Sequence, residues 1–192
     1  MLFNLNLVEK AVSCYTRCSD LSKSIKRPQD AADSLEEAGS LTKESNPAQS
    51  IQFYKEAATL YKSCGKSAYA AKNYKIVAAA YEQEVQYELA VENYREAARL
   101  FSLEKYKTTD TNKCTLKVAE LLSRDCSDPD PKQIIDAIKT FEKIAVKYTQ
   151  ESLLRHSAQE IFFKACLLFL IIDVSLFVLR FLGGAEGFEA RS

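Results

Sequence analysis

Apolar residues recur along most of this chain at steps of three, four and seven, the period of one face of an α-helix. The segment AQSIQFYKEAATLY (48–61) lies over ELAVENYREAARLF (88–101) along its whole length. Ile51 falls on Val91, Tyr54 on Tyr94, Ala57 and Ala58 on Ala97 and Ala98, Leu60 on Leu100 and Tyr61 on Phe101, all at one common offset. AIKTFEKIAVKY (137–148) continues the pattern further on with Ile138, Phe141, Ala145 and Tyr148, and AVSCYTRCSDL (11–21) is a weaker copy ahead of the first. A repeat of about 40 residues is the mark of a solenoid, whose units bury their apolar faces only by stacking on neighbours.

Between the copies lie second helices. PQDAADSLEEAGSL starts with Pro28 in a first helical turn, SAYAAKNYKIVAAAY follows Gly65, and TNKCTLKVAELLS follows the polar SLEKYKTTD. SDPDPKQ (127–133) breaks the chain before the last pair. No segment shows the alternation or turn spacing of a sheet. The expected fold is all-α: a tetratricopeptide-like solenoid of about four antiparallel helical hairpins forming a twisted, curved helical sheet. Its domain is placed at residues 1–173, with 174–192 as a divergent apolar C-terminal tail.

Composition agrees with helix, because five Gly and four Pro in 192 residues are too few for many turns. Lys plus Arg and Asp plus Glu stand at 26 each, so no global field argues for nucleic acid. The six cysteines, Cys14, Cys18, Cys64, Cys114, Cys126 and Cys166, never form C-x-x-C and read as reduced, mostly packing thiols. The N-terminal MLFNLNLVEKA is too short, and lacks the basic flank, for a secretory signal. No phosphate loop, H-E-x-x-H or paired metal-ligand spacing occurs, and the single histidine, His156, reads as a half-exposed helix residue; no cofactor and no enzyme is expected. Charge is segregated locally. From Ala57 to Ala80 there is no acidic residue, while Lys62, Lys66, Lys72 and Lys75 fall there, and Lys105, Lys107, Lys113 and Lys117 cluster further on with Glu104 and Asp110 among them. A basic strip of this kind attracts an acidic partner; its competing reading is an ordinary solvated face.

The apolar run from Ala165 to Leu182 carries two charges, Asp173 and Arg180. As a membrane span this is short, and Asp173 near its middle costs about 2.5–3.5 kcal/mol.

The segments NKCTLKVAELL (112–122), AVENYREAARLF (90–101) and SLLRHSAQEIFFKACLLFLIID (152–173) resemble the α-type soluble NSF attachment proteins, or SNAPs, over residues 10 to 173. The resemblance implies a helical adaptor that wraps the four-helix SNARE complex of syntaxin-like chains and recruits the hexameric NSF-type AAA ATPase in vesicle-mediated protein transport. It also implies a cytoplasmic location, peripheral on vesicle, Golgi or other endomembranes. Carried over by position, Lys72 and Lys113 match the family's basic contacts, Lys66 follows the same glycine as a family arginine, and Lys117 neighbours Lys113 on one helix face. Arg155 replaces a family lysine with its charge kept, whereas Gln159 stands where the family has another lysine. It further implies that Phe162 to Asp173 is the inner helix of a hairpin, while Val174 to Leu182 follows no family pattern. Relative to the family, the chain lacks the first hairpin with its apolar membrane-touching loop and the C-terminal bundle that engages the ATPase, so weak or absent ATPase stimulation is expected. The competing reading is a generic tetratricopeptide-like scaffold that holds a peptide tail in its groove, with or without a tail anchor.

Overall fold

The computed structural model describes the backbone of residues 2–124 and 131–186, and the side chains of residues 7–124 and 132–173. The elements are α1 (Leu2–Ser24), α2 (Pro28–Thr42), α3 (Pro47–Ser63), α4 (Ser67–Gln83), α5 (Tyr87–Ser102), a 3-10 turn (Lys105–Lys107), α6 (Thr108–Leu122), α7 (Pro131–Gln150) and α8 (Arg155–Glu186). No strand occurs among the described residues. The chain forms two compact units, Met1–Thr115 and Leu116–Ser192.

In the first unit α1 packs on α2, α2 on α3, α3 on α4 and α4 on α5. Three of those joints are built identically. Ile25-Lys26-Arg27, Cys64-Gly65-Lys66 and Glu84-Val85-Gln86 are three-residue connections whose middle residue has a left-handed backbone: Lys26 at φ 58°, Gly65 at 72° and Val85 at 62°. The third residue donates its N–H back five residues, Arg27 to Ser22 at 2.8 Å, Lys66 to Tyr61 at 2.9 Å and Gln86 to Tyr81 at 2.9 Å. The middle residue donates to the carbonyl three back, so two otherwise unpaired carbonyls of each helix end are satisfied. The carbonyl of the same third residue then accepts the first bond of the next helix, from Ala31, Ala70 and Ala90. Joint and cap are one residue, and the reversal is tight enough to force neighbouring helices antiparallel.

The α2 to α3 joint is of another kind. There the Asn46 side-chain oxygen accepts from the Gln49 N–H at 3.2 Å and Pro47 opens the helix, which needs no donor at that position.

Small residues let the helices close. Ala31, Ala32, Ala38, Ala57, Ala58, Ala70, Ala71, Ala78, Ala90 and Ala97 are fully buried, and the aromatic wedges Tyr54, Tyr61, Tyr94 and Phe101 fill the space between them. Gly39 belongs to this packing, since a Cβ there would come within 3.1 Å of the Tyr54 ring. Ion pairs join the first helices of successive hairpins: Lys23 of α1 meets Glu56 of α3, and Lys62 of α3 meets Glu96 of α5 at 2.9 Å. Lys23 and Lys62 stand at equivalent places in successive copies, as do Glu56 and Glu96, so the pair recurs with the repeat.

In the second unit α7 and α8 form a hairpin around Ile134, Ile138, Phe141, Ala145, Tyr148, Ala158, Ile161, Ala165 and Leu168, joined by Ala119. Lys164 of α8 bonds Glu120. Phe162 to Asp173 thus does contribute a packed face, but that face covers half of the helix: Phe163, Cys166, Phe169 and Leu170 are exposed. Beyond Asp173 the backbone continues without a break to Glu186; the side chains of the expected apolar tail lie outside the described residues. Among the described residues no helix is long and apolar enough to cross a membrane.

Candidate functional site

The second helices of the first unit share a groove of about 420 Å³. Glu36 of α2, Lys43 at its end, Lys72, Lys75 and Ile76 of α4, Tyr94 and Phe101 of α5 and Asp110 of α6 all line it. Lys72 and Lys75 are one turn apart on α4, so helical geometry alone puts both on the groove side.

Lys72 is positioned from behind. Its Nζ sits 5.2 Å from the centre of the Tyr69 ring, where the π face attracts a cation, and Tyr69 stacks on Tyr61 with ring centres 5.4 Å apart. Tyr61 is buried, and its hydroxyl bonds Asp33 and, at 2.8 Å, Glu36. Burial, with both carboxylates adding to it, pushes that hydroxyl far above its ordinary ionisation range, so it stays a neutral donor. Lys75 and Asp110, both lining the groove, act on the buried Cys114. Burial pushes its thiol up to about 11, Lys75 opposes the rise and Asp110 adds to it.

The remaining sequence candidates fall elsewhere. Lys66 stands exposed at the α3 to α4 joint, held by its backbone, and does not line the groove. Lys113 is exposed on α6, three residues beyond Asp110. Lys117, half-buried, lies 3.7 Å from Glu120, so part of its charge is spent within its own helix. Arg155 and Gln159 are exposed one turn apart at the start of α8. A cation there opposes the helix dipole, so Arg155 gains nothing from its place in the helix.

Two expectations need correction. The acid-free run from Ala57 to Ala80 does not stay a free strip, because Lys62 is paired with Glu96 and does not line the groove; the groove, moreover, mixes Lys43, Lys72 and Lys75 with Glu36 and Asp110. The cysteines are not mostly packing thiols: Cys114 is buried and Cys64 half-buried, but Cys14, Cys18 and Cys166 are exposed. Cys126 lies outside the described residues. Lys43 and Glu36 were missed because nothing within α2 shows that its polar side shares a groove with α4, which the chain reaches only after the whole of α3. His156 is exposed, with Glu160 3.9 Å from its Nε2. Among the described residues no group of three or more His, Cys, Asp and Glu is placed to hold a metal ion.

Stacked hairpins with a mixed-charge groove on the second helices define a helical-repeat protein. The profile of the family "Soluble NSF attachment protein, SNAP" matches residues 4–179, and the chain belongs to that family, one of adaptors rather than enzymes. It is 30% identical over 164 residues to the Beta-soluble NSF attachment protein of Bos taurus, covering 85% of this chain and 53% of that protein. To the Alpha-soluble NSF attachment proteins of Mus musculus and Homo sapiens it is 29% identical over 165 residues, covering 85% of this chain and 54% of each. The chain therefore spans about half the length of the curated relatives it matches. Among solved structures, a Podosopora anserina putative kinesin light chain with nearly identical TPR-like repeats superposes with a TM-score of 0.44 at 12% identity, covering 94% of this chain and 97% of that one.

Proposed function

We propose that this chain is a SNAP-type adaptor that binds assembled SNARE complexes through the lysine-bearing face of its second helices and brings an NSF-type AAA ATPase to them. Its place would be in the cytoplasm, peripheral on vesicle, Golgi or other endomembranes. The observation that carries the reading is Lys72: it matches a basic contact of the family, lines the groove with Lys43 and Lys75, and is held over Tyr69. A preset cation on a groove suits a partner with an acidic, rigid surface, since charge complementarity sets register and approach rate. Lys113 and Arg155, exposed, are read as further contacts; Lys66 and Lys117 are weaker ones by their surroundings.

Each exposed ion pair contributes about 1 kcal/mol or less, so the contacts act as a set. The double variant Lys72→Glu with Lys113→Glu is expected to cut retention on immobilised, assembled SNARE bundles, most at low salt where screening is weakest. Retention unchanged at every ionic strength removes the basic-face assignment. Capture of single extended SNARE peptides in preference to the bundle would instead select the peptide-scaffold reading.

A further inference from the structure

The helices of the first unit pack one after another, each antiparallel to the last, so their joints alternate between two ends of the unit. At one end lie Ile25-Lys26-Arg27, Cys64-Gly65-Lys66 and the link from Leu103 to Lys107; at the other lie Lys43-Glu44-Ser45-Asn46 and Glu84-Val85-Gln86. The two ends differ in charge. The first carries five basic residues against one acid, Glu104, whereas the second carries one basic residue against two acids, Glu44 and Glu84. Two of the five cations are engaged, Arg27 with Asp30 at 3.2 Å and Lys107 with Asp110 at 3.4 Å. Lys26, Lys66 and Lys105 are exposed and meet no acid at ion-pair distance among the described residues.

Apolar side chains stand out among these lysines. Ile25 is 57% exposed, Leu103 61% and Tyr106 97%. The middle tip brings Lys66 and no large apolar side chain. At the opposite end Val85 is exposed as well, but it stands among acids. From the α1 joint to the end of α5 there are four interhelical spacings, roughly 32–40 Å. A folded protein partner is held through one contiguous desolvated patch, which apolar tips this far apart do not make. A plane of anionic headgroups offers the same chemistry at every point and accepts them all. Tyrosine favours that boundary layer, and lysine keeps its charge at headgroup level while its stem lies along the apolar region.

We propose that this end of the first unit is the surface on which the chain rests against an anionic lipid bilayer. Ile25, Leu103 and Tyr106 dip into the boundary layer, and Lys26, Lys66 and Lys105 meet the headgroups. The assignment rests on the peripheral membrane placement proposed above and gives it a contact surface. Binding then has a charge part, which salt screens, and an apolar part, which salt leaves in place.

The test is co-sedimentation of the full chain with vesicles of phosphatidylcholine alone or mixed with phosphatidylserine, over a range of salt. Each lysine close to an anionic surface brings about a fivefold gain in partitioning, so Lys26→Gln with Lys105→Gln should weaken binding to the mixed vesicles about tenfold or more. Leu103→Ser with Tyr106→Ser should remove the binding that survives high salt, and Val85→Gly, at the opposite end, should change neither part. The chain holds no tryptophan, so Tyr106→Trp and Leu89→Trp each supply a single fluorophore, Leu89 lying in the first turn of α5 at the acidic end. Emission should shift to the blue on mixed vesicles in the first variant and stay in place in the second. Lys72→Glu with Lys113→Glu, impaired on SNARE bundles, should still sediment with vesicles, so the groove assignment and this one fail separately. Absence of binding to mixed vesicles, binding to phosphatidylcholine alone that is as strong, or an equal blue shift in both tryptophan variants overturns the proposal. Loss of lipid-free SNARE-bundle retention in the Lys26→Gln, Lys105→Gln chain with vesicle binding unchanged overturns it in favour of an acidic protein partner.

Discussion

Val85 holds φ at 62°, a conformation that costs a residue with a Cβ roughly 1–2 kcal/mol and a β-branched one more. Gly65 fills the equivalent place at 72° without that cost. Val85→Gly should therefore stabilise the chain by about 1 kcal/mol, since the relieved strain exceeds the entropy that glycine adds to the unfolded state; Gly65→Ala should destabilise by a similar amount. Urea midpoints of the two variants measure this, and equal destabilisation by both would mean the left-handed joints are not retained in solution. Cys114 shows a different residue effect. Its thiol is held protonated to about 11 against an ordinary 9.0, so its contribution to stability is whole below pH 9.0 and is lost as pH rises towards about 11.

At the scale of elements, Glu96 is the informative case. Its carboxyl is bonded by Arg99 at 2.8 Å, which does most to lower its pKa, while burial opposes and Lys62 at 2.9 Å adds to the lowering; the result is about 2 against the ordinary 4.5. A depressed acid stabilises above its unfolded value, so this contribution is present above pH 4.5 and disappears as pH falls towards about 2. Glu96→Gln should lower stability at pH 7 by about 1 kcal/mol or less and flatten the loss between pH 4.5 and 2; an unchanged acid limb in urea titrations at stepped pH would rule the pair out as a contributor. Neither ion pair between first helices was read from the sequence: Lys23 and Lys62, like Glu56 and Glu96, occupy equivalent repeat positions, but which helices face one another shows only in the fold. The helices themselves were legible from the spacing of Ile51, Tyr54, Ala58 and Tyr61. The left-handed backbone of Lys26 and Val85 was not, because only the hydrogen-bond demand of the helix ends calls for it and neither residue type signals it. The exposure of Cys14 and Cys18 was not legible either, because an exposed seam and a buried one have the same period.

For the whole molecule, repeat packing means that most contacts are between neighbours, so stability is expected to be distributed rather than held by one core. Phe141 is 1% exposed in the second unit, and Phe141→Ala should cost about 3–5 kcal/mol. Hydrogen exchange should show that loss first in the amides of α7 and α8, with α3 and α4 protected longer; uniform loss along the chain would mean that a single cooperative transition governs both units. The groove illustrates the limit of sequence reading at this scale. Lys72, named by likeness to a family, lines the groove, but Lys43 and Glu36 enter only when α2 is laid beside α4.

The three-residue joints also govern how the chain can change in length. In each, the residue that closes one helix is the residue that opens the next, so there is no slack to absorb an insertion. One added residue would turn the following helix by about 100° and present a different set of side chains to its neighbour. A glycine inserted after Gly65 should abolish cooperative unfolding, whereas one inserted after Ser45, in the looser link ahead of Asn46, should be tolerated; circular dichroism melts of the two chains distinguish these outcomes. Natural length variation and engineered fusions are accordingly expected at Lys43–Ser45 and between Leu103 and Lys107, while the three left-handed joints keep their length and tolerate changes only of residue type.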